Sequence, residues 1–302
     1  MPAPADQPMS MICPEVVKSA PPSSEAKHGD REGHRNWIGV AIMGHVTSPL
    51  SNQPPAGGEA LSLWRGTALV VGRGGIGSAL LNALSARAPG LSLVTTHRTA
   101  AAAQPFPAIR SVPLDITDDS SLSALADHLA DLPPLRLVIN TAGLLHDVDL
   151  QPEKRLSRVS RGNLQRSFDV NAFGPVLLAA ALAPLLQRDQ SLHFASLSAR
   201  VGSIGDNRSG GWYSYRAAKA AQNQLLRTLA LEWQRTHPRA CVCLLHPGTT
   251  ATRLSQPFQG GVAPARLFTA EVTAQLLLTV LEGLSPSQTG QFLAWDGQRI
   301  PW

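Results

Sequence analysis

Cysteines, long apolar stretches and runs of basic residues are scarce or missing in this sequence, and each would indicate another kind of protein. It contains only three cysteines in 302 residues, so neither a disulfide framework nor a zinc cluster is indicated and no metal site is expected. No stretch reaches the eighteen apolar residues of a membrane span. The net charge is +5, but no run of Lys or Arg accompanies it, which gives little support for nucleic-acid binding. We therefore expect a cytoplasmic protein without a membrane or nucleic-acid partner.

The first 63 residues differ in composition from the rest. They are rich in Pro, Ser, Gly and Ala, and they carry four basic and six acidic side chains, a net charge of −2. The other residues carry 22 basic and 15 acidic side chains, a net charge of +7. We predict a disordered extension over 1–63 and one catalytic domain over 64–302. Three origins of the extension stay open: a translated tail, a targeting segment, which its acidic residues disfavour, or a start codon assigned too far upstream.

From residue 67 onward, apolar strands alternate with helices. This alternation predicts an α/β fold, a Rossmann-like doubly wound parallel sheet in a single domain. The predicted strands are 67–71, 91–96, 135–139, 192–196, 240–245 and 291–294, and the longer predicted helices are 120–132, 162–187, 213–236 and 269–284. Active sites in such sheets lie at the carboxyl ends of the strands, where we expect the motifs described next to meet.

A glycine-rich loop joins the first predicted strand to a helix. Residues 72–77 are Gly-Arg-Gly-Gly-Ile-Gly, and Gly72, Gly74 and Gly77 fit the pattern G-x-G-x-x-G in the strand–turn–helix context that it requires. Glycine permits the tight turn and lets backbone N–H groups approach a pyrophosphate at the helix N-terminus. The pattern predicts dinucleotide binding, and the alternative is an ordinary glycine-rich turn.

The end of the second predicted strand indicates which dinucleotide is preferred. An NAD site has an acidic residue there for the ribose 2′-OH, whereas this chain has His97 and Arg98, with Arg73 in the glycine loop. Guanidinium groups suit a 2′-phosphate. We therefore expect NADP(H) to be favoured over NAD(H). The alternative is that both arginines are solvated surface residues.

Tyr215 and Lys219 form a Tyr-x-x-x-Lys motif in a predicted helix. A four-residue step places two side chains on one helix face, one turn apart. A nearby ammonium lowers the pKa of a phenol, which prepares it for proton transfer near neutral pH. Alone the pattern is weak, since it also occurs in ordinary surface pairs, but it follows the glycine loop in the same chain.

Further motifs make the chain similar to the short-chain dehydrogenase/reductase family, from about residue 65 to residue 302. They are Asp115 after a short strand, the turn Asn-Thr-Ala-Gly at 140–143, the helix-borne Asn171, and the Pro-Gly loop at 247–252. Segments 211–216 and 292–297 resemble the C-factor-like branch of the family, which includes carbonyl reductases of the sniffer type.

The chain departs from the family pattern at two positions. Measured from Gly72, the glycine loop is one residue shorter than usual. The family's catalytic serine lies three residues before a glycine, and three residues before Gly202 this chain has Ala199. Ser196 and Ser198 face the same side of the predicted strand. We favour Ser198, because a bulge can shift a strand end by one residue, and Ser196 stays as the alternative.

The resemblance implies a reaction and a set of site residues. Hydride passes between a nicotinamide cofactor and a carbonyl carbon, while Tyr215 exchanges the proton. Ser198 would stabilise the carbonyl oxygen, Lys219 would lower the Tyr215 pKa and hold the ribose, and Asn171 would position a relay water. The residues expected to bind the cofactor are Gly72, Arg73, Gly74, Gly75, Ile76, Gly77, His97, Arg98, Asp115, Ile116, Asn140, Ala142, Gly143, Tyr215, Lys219, Pro247, Gly248, Thr250 and Thr252.

Two functions follow as hypotheses. The first is an NADP(H)-dependent oxidoreductase acting on a small-molecule carbonyl or alcohol. The alternative is a nucleotide-binding signalling or regulatory protein on the same scaffold. Sixteen residues separate Ser198 from Tyr215, four more than is typical of the family, and we expect them to form one wall of the substrate site. Trp212 in this segment favours a hydrophobic or aromatic carbonyl, unless it packs in a subunit contact of a homo-oligomer.

Overall fold

The computed structural model describes residues 58–99 and 108–302. The predicted extension lies outside the described residues up to residue 57, as does Cys13. The strands are β1 (Gly66–Val71), β2 (Leu91–His97), β3 (Arg110–Pro113), β4 (Leu135–Asn140), β5 (Leu192–Leu197), β6 (Ala240–His246), β7 (Thr249–Thr250), β8 (Leu267–Phe268) and β9 (Gln291–Ala294). The helices are α1 (Gly75–Arg87), α2 (Asp119–Leu129), α3 (Arg161–Phe168), α4 (Gly174–Leu182), α5 (Tyr213–Thr236) and α6 (Ala270–Glu282).

The larger sheet is parallel throughout and has the order β3-β2-β1-β4-β5-β6-β9 in the described part of the chain. The order reverses between β1 and β4, which is the point where ligands bind in open α/β sheets. The predicted Rossmann-like fold is confirmed. The short strands β7 and β8 pair separately, and β7 lies within the Pro-Gly loop.

Burial on both faces explains why the central strands are almost entirely apolar. One core lies under α1 and α6 and includes Val70 and Ile139. The other lies under α2, α4 and α5 and includes Leu69 and Val138. Successive residues of one strand thus enter opposite cores, and the strands hold the loops at their carboxyl ends in fixed positions.

The long helix predicted over 162–187 is divided in the structure. Helix α3 is followed by a π-helical turn, Asp169–Phe173, then by α4 and a 3-10 turn, Ala183–Leu185. A π-turn inserts one residue into a helix and is frequent at functional sites. Here it contains Asn171. Helix α5, by contrast, has the predicted bounds.

The residues just before β1 pack onto the domain. Leu61 and Trp64 are each 1% exposed. The Leu61 N–H donates to Glu282 Oε1 at 2.9 Å, and the Arg136 guanidinium lies over the Trp64 ring at 3.8 Å. The boundary predicted between residues 63 and 64 therefore falls inside a packed segment, because local periodicity does not show contacts with distant elements.

The helical segment 161–185, with a mean hydropathy of 1.5, has the length and apolar composition of a membrane-spanning helix. Core helices of globular proteins share these two properties. Leu178 and Leu182 of α4 belong to the core under the sheet, which accounts for the apolar composition.

Candidate active site

The glycine loop touches two other predicted motifs. Gly72 has a φ of +92°, and a Cβ there would lie 2.9 Å from Thr141 Oγ1 in the Asn-Thr-Ala-Gly turn. A Cβ at Gly75 would lie 2.9 Å from Thr252 Cγ2 in the Pro-Gly loop, and one at Gly77 would lie 2.2 Å from the Gly72 oxygen. Any larger residue would separate these segments. The carboxyl ends of β1, β4 and β6 therefore meet as predicted.

The N-terminus of α1 is open in the way that an anionic group requires. Its N-cap, Gly74, has no side chain to accept the first N–H groups, and a Cβ at Gly74 would meet nothing within 4 Å. Unsatisfied N–H groups and the positive end of the helix dipole favour a phosphate here. Ile76 packs against the core under α1, so it supports the loop through its side chain. These residues fit the pyrophosphate of a dinucleotide.

The end of β2 carries the predicted basic residues. Thr96 Oγ1 accepts the Gly72 N–H at 3.0 Å, which joins this strand end to the glycine loop. His97 Nδ1 is 2.8 Å from Ser111 Oγ, while the Arg98 side chain is exposed and Arg73 is half-buried. No acidic side chain stands at residues 96–99.

The loop after β3 holds the next two predicted cofactor residues. Asp115 Oδ1 accepts the Thr117 N–H at 3.0 Å and the Thr117 hydroxyl at 2.7 Å, which closes a turn. Ile116 is buried, and a Cβ at Gly174 would lie 2.9 Å from Ile116 Cγ1. The Ile116 side chain thus packs into the core. Only its backbone groups remain for contact with a cofactor.

Asn140 holds its own turn in place. Its Nδ2 donates to Ser196 Oγ at 2.9 Å, and its Oδ1 accepts the Ala142 N–H at 3.1 Å. The following Gly143 is exposed, and a Cβ there would lie 3.5 Å from Asn171 Oδ1. The turn therefore presents Gly143 next to the residue predicted for the proton relay.

Asn171 is fully buried and uses its side chain to bind protein. Its Nδ2 donates to the oxygens of Leu144 (2.7 Å) and Ser167 (3.0 Å), and its Oδ1 accepts the Leu144 N–H at 3.1 Å. These bonds fix the π-turn against the loop after β4. Asn171 thereby orders this side of the site.

Tyr215 and Lys219 are both buried on α5, one turn apart. Lys219 Nζ donates to the Leu197 oxygen and to Gln222 Oε1, each at 2.9 Å, and it lies 5.8 Å from the centre of the Tyr215 ring. Burial lowers the pKa of Lys219 to about 7. Lysine in this position can therefore exchange its proton near neutral pH.

Burial raises the pKa of the Tyr215 hydroxyl instead of leaving it depressed. The expected depression by Lys219 is not found, because desolvation of the phenolate is the dominant effect and the ammonium lies over the ring. A protonated phenol is the form that can donate a proton.

The serine predicted for catalysis is turned toward the core. Strands β5 and β6 pair without a break as far as Leu197, so the bulge expected to shift Ser198 is absent. Ser198 is 4% exposed and donates to Asn223 Oδ1 at 2.7 Å, and Ser196 Oγ accepts from Gln222 Nε2 at 2.8 Å. Ala199, half-buried, follows them at the strand end.

The Pro-Gly loop is fixed by close packing. Gly248 has a φ of +74°, and a Cβ there would lie 2.8 Å from Phe268. Thr250 Oγ1 is 2.8 Å from Thr273 Oγ1, so this side chain is bound to α6. The Thr252 N–H donates to Ser255 Oγ at 3.2 Å, and its methyl group faces Gly75. Of the two threonines, Thr252 faces the glycine loop.

An aromatic group extends from Tyr215 to the segment after the Pro-Gly loop. The Trp212 ring centre is 6.3 Å from that of Tyr215 and 5.0 Å from that of Phe258, and Phe258 is 5.5 Å from His146. Trp212 and Phe258 are half-buried. This aromatic group, His146, Phe258 and Trp212, can form an apolar wall beside the Tyr215 ring.

Several residues of this region escaped the sequence analysis. Glu153, Phe258 and Asn223 come from distant segments or carry no local pattern. Gln222 lies three residues after Lys219 on the same helix face, which is the one signal that indicated it. Arg216, inside the Tyr-x-x-x-Lys motif, donates to Gly211, Val201, Ser209 and Gly210.

Comparisons with known proteins agree with this geometry. A sequence model of the family described as short chain dehydrogenase matches residues 66–261, which contain the whole candidate site. The chain is 32% identical over 190 residues to 1-hydroxy-2-glutathionyl-2-methyl-3-butene dehydrogenase of Rhodococcus sp. (strain AD45), covering 63% of this chain and 78% of that relative. It is 31% identical over 176 residues to C-signal of Myxococcus xanthus, covering 56% and 93%. The crystal structure of NADPH-bound carbonyl reductase from chicken fatty liver superposes with a TM-score of 0.67 at 25% identity, covering 79% of this chain and all of that one.

Proposed function

The chain belongs to the short-chain dehydrogenase/reductase family, and we propose that it is an NADP(H)-dependent oxidoreductase of the C-factor-like branch, interconverting a carbonyl and an alcohol. The observation that carries the proposal is the pair of buried groups on α5. Tyr215 and Lys219 lie one turn apart beside the carboxyl ends of β5 and β6, where the glycine loop and the Pro-Gly loop also meet.

When bound, the nicotinamide cofactor supplies the hydride for reduction of the carbonyl carbon. Tyr215 keeps its proton at neutral pH, because burial raises its pKa, and it donates that proton to the oxygen as the alkoxide forms. Lys219, with a pKa of about 7, would return a proton to Tyr215 and would donate hydrogen bonds to the ribose of a bound cofactor. Asn171 orders the turn beside them.

The cofactor fits the residues around α1. The open N-terminal N–H groups of α1 would hold the pyrophosphate, and the Asp115 turn would lie at the adenine. Arg73 and Arg98 would hold a 2′-phosphate, because residues 96–99 offer no carboxylate to repel it. Fluorescence titration tests the preference: NADPH should bind more tightly than NADH, and replacement of both arginines by alanine should remove the difference. Tighter binding of NADH by the parent would contradict it.

The activity is tested by NADPH oxidation with a panel of aldehydes, ketones and quinones. We expect turnover with at least one apolar carbonyl. Tyr215→Phe should lower kcat at least about 10²-fold with little change in NADPH binding, the scale of lost general acid catalysis. A Tyr215→Phe variant within a few-fold of the parent would remove Tyr215 from this role.

A second candidate function is a nucleotide-binding signalling or regulatory role. The observation that favours it is the serine region, where Ser198 is bonded to Asn223 and Ala199 stands at the usual serine position. The relative named C-signal agrees with it. In this case NADPH would bind with the expected affinity while no carbonyl of the panel is reduced.

We also propose a cytoplasmic location. Cys241 and Cys243 are buried free thiols on one face of β6, and burial raises the pKa of both, so neither is a ready disulfide partner. Fractionation of cells that produce the protein, with immunodetection, tests this location.

A further inference from the structure

Helix α5, which carries Tyr215 and Lys219, begins without a capping side chain of its own. Its N-cap is Trp212, whose φ is +53°, and the two residues before it, Gly210 and Gly211, are also left-handed. A tryptophan in this region is strained, and such strain persists only where other contacts hold the backbone. The contacts on Trp212 therefore show what fixes the start of α5.

Glu153 makes these contacts from a loop that lies 61 residues before Ser214 in the sequence. Its backbone oxygen accepts the Trp212 N–H at 2.5 Å. Its carboxylate accepts the Ser214 N–H at 3.1 Å and also the Ser214 hydroxyl. One residue thus holds both sides of the junction between the left-handed segment and the helix, directly before Tyr215.

The Glu153 side chain is an unusual choice for this position. Glu153 is 3% exposed, and no basic side chain in the described parts of the chain forms an ion pair with it. Burying a carboxylate is costly unless hydrogen bonds compensate. Here the Ser214 donors and the positive end of the α5 dipole provide that compensation. The Glu153 carboxylate is therefore stabilised by the N-terminus of α5 and not by a basic side chain.

The same contacts continue toward the other side of the site. The Ser214 oxygen accepts from Ser167 Oγ at 3.2 Å, and the Ser167 oxygen accepts from Asn171 Nδ2 at 3.0 Å. A continuous series of hydrogen bonds therefore joins Glu153, the first turn of α5 and the π-turn that contains Asn171. These elements are otherwise separated by long stretches of sequence.

We propose that Glu153 is a positioning residue for the reaction, which fixes the general acid Tyr215 relative to the substrate wall at Trp212. The inference rests on the proposed function, because it assigns a role in that reaction. Glu153 acts through Ser214 and Trp212. Small displacements of an acid from its reacting partner lower turnover strongly, so loss of Glu153 should affect kcat more than cofactor binding.

The test compares four variants with the parent. Glu153→Ala should lower kcat about tenfold or more while the KM for NADPH stays within about twofold. Glu153→Gln should restore kcat to within about threefold, because its amide oxygen accepts the Ser214 N–H and its NH₂ can donate to the Ser214 hydroxyl. Ser214→Ala, which keeps the N–H contact, should lie between them. The control is Asp118→Ala, which removes a carboxylate cap from α2 and should lower Tm without changing kcat.

Hydrogen exchange of residues 201–216 provides a readout that does not need activity. Exchange should rise in Glu153→Ala and stay at the parental level in Asp118→Ala. If the parent reduces no carbonyl, the proposed function fails. Hydrogen exchange would then still show whether Glu153 fixes the start of α5. Parental kcat or unchanged exchange in Glu153→Ala would overturn the positioning role, and so would an equal loss of kcat in the Asp118→Ala control. If Glu153→Ala does not fold, parental kcat in Ser214→Ala would overturn it.

Discussion

Lys219 is a charged group whose environment opposes its charge. It is 3% exposed, and burial lowers its pKa to about 7. In the unfolded chain a lysine titrates near pH 10.4, so between about pH 7 and pH 10 the unfolded chain binds a proton that the folded chain has released. The contribution of Lys219 to stability therefore rises with pH over this range and is lost as the pH falls through 7. A proton carrier near neutral pH is obtained at the expense of stability.

Because the contribution of Lys219 to stability rises with pH, the Lys219→Met variant should show a specific pH dependence. The difference in stability, variant minus parent, should be most favourable to the variant at pH 6 and should shrink toward pH 9, because methionine does not titrate. Urea unfolding at the two pH values measures it, and activity should be lost at both. Lys154→Met, at an exposed position, is the control and should show no such trend. A difference that is constant or grows with pH would contradict the pKa shift of Lys219.

A second prediction concerns the serine position. Ser198→Ala should leave kcat within about threefold and lower Tm, because it leaves Asn223 Oδ1 without its buried donor, at about 1–3 kcal/mol. Ala199→Ser should raise kcat about tenfold or more by adding a donor at the carbonyl oxygen. Ala199→Cys, of similar size with a weak donor, is the control. A 10²-fold loss in Ser198→Ala would instead return the oxyanion role to Ser198.

At the scale of elements, helix α5 and the loop before it act together. The loop 202–212 contains four glycines, at positions 202, 205, 210 and 211. In the structure Arg216 of α5 donates to Gly211, Val201 and Ser209, and Arg200 pairs with Asp206 at 3.1 Å. The Gly205 N–H donates to the Trp302 oxygen at 2.8 Å. The loop is therefore tied to the first turn of α5, to itself and to the C-terminal residue.

Because hydrogen bonds hold loop 202–212 in place, the position of Trp212 is fixed and its role in the substrate site can be tested. Trp212→Ala should raise KM up to about tenfold for an aromatic ketone and much less for a small aliphatic aldehyde, since an aromatic contact contributes about 0.5–1.5 kcal/mol. Tyr213→Ala, at a neighbouring side chain that is 40% exposed, is the control. Steady-state kinetics and size-exclusion chromatography are compared. Unchanged kinetics with loss of an oligomer would assign Trp212 to a subunit contact.

For the molecule as a whole, the segment before β1 covers the amino ends of the central strands β4 and β5, opposite the site. Trp64 stacks on His193 at 4.8 Å, Arg136 Nη2 donates to Glu59 at 3.1 Å, and the Leu61 N–H reaches Glu282. Burial lowers the pKa of His193 to about 4, so this ring is neutral beside Arg136. The segment thus joins β4, β5 and the end of α6.

Truncation tests where the domain begins. Removal of residues 1–57 should leave Tm within about 2 °C, because their composition gives no periodicity with which to build a core. Removal of residues 1–64 should lower Tm by about 6–24 °C, because Leu61 and Trp64, each 1% exposed, contribute about 1.5–3 kcal/mol apiece. Scanning fluorimetry of the two proteins measures this. A loss of several degrees in the shorter truncation would mean that part of residues 1–57 stabilises the domain.

Features that depend on local backbone geometry could be predicted from the sequence. The strand–helix alternation predicts the parallel sheet, the glycine loop predicts an open helix start after β1, and a four-residue step sets Tyr215 and Lys219 on one face of α5. Each of these is encoded within one turn or one short run. The residue pattern that predicts each feature lies within a short run of the chain, so it can be recognised before the distant contacts are known.

The groups that surround those features could not be predicted, because they depend on how the whole domain packs. Ser198 faces Asn223 because β5 continues its pairing, and the Tyr215 pKa is raised because the helix buries it. Glu153 and Phe258 reach the site from segments without a local pattern. Burial and contacts between residues far apart in the chain depend on how all the elements pack, which no local spacing encodes.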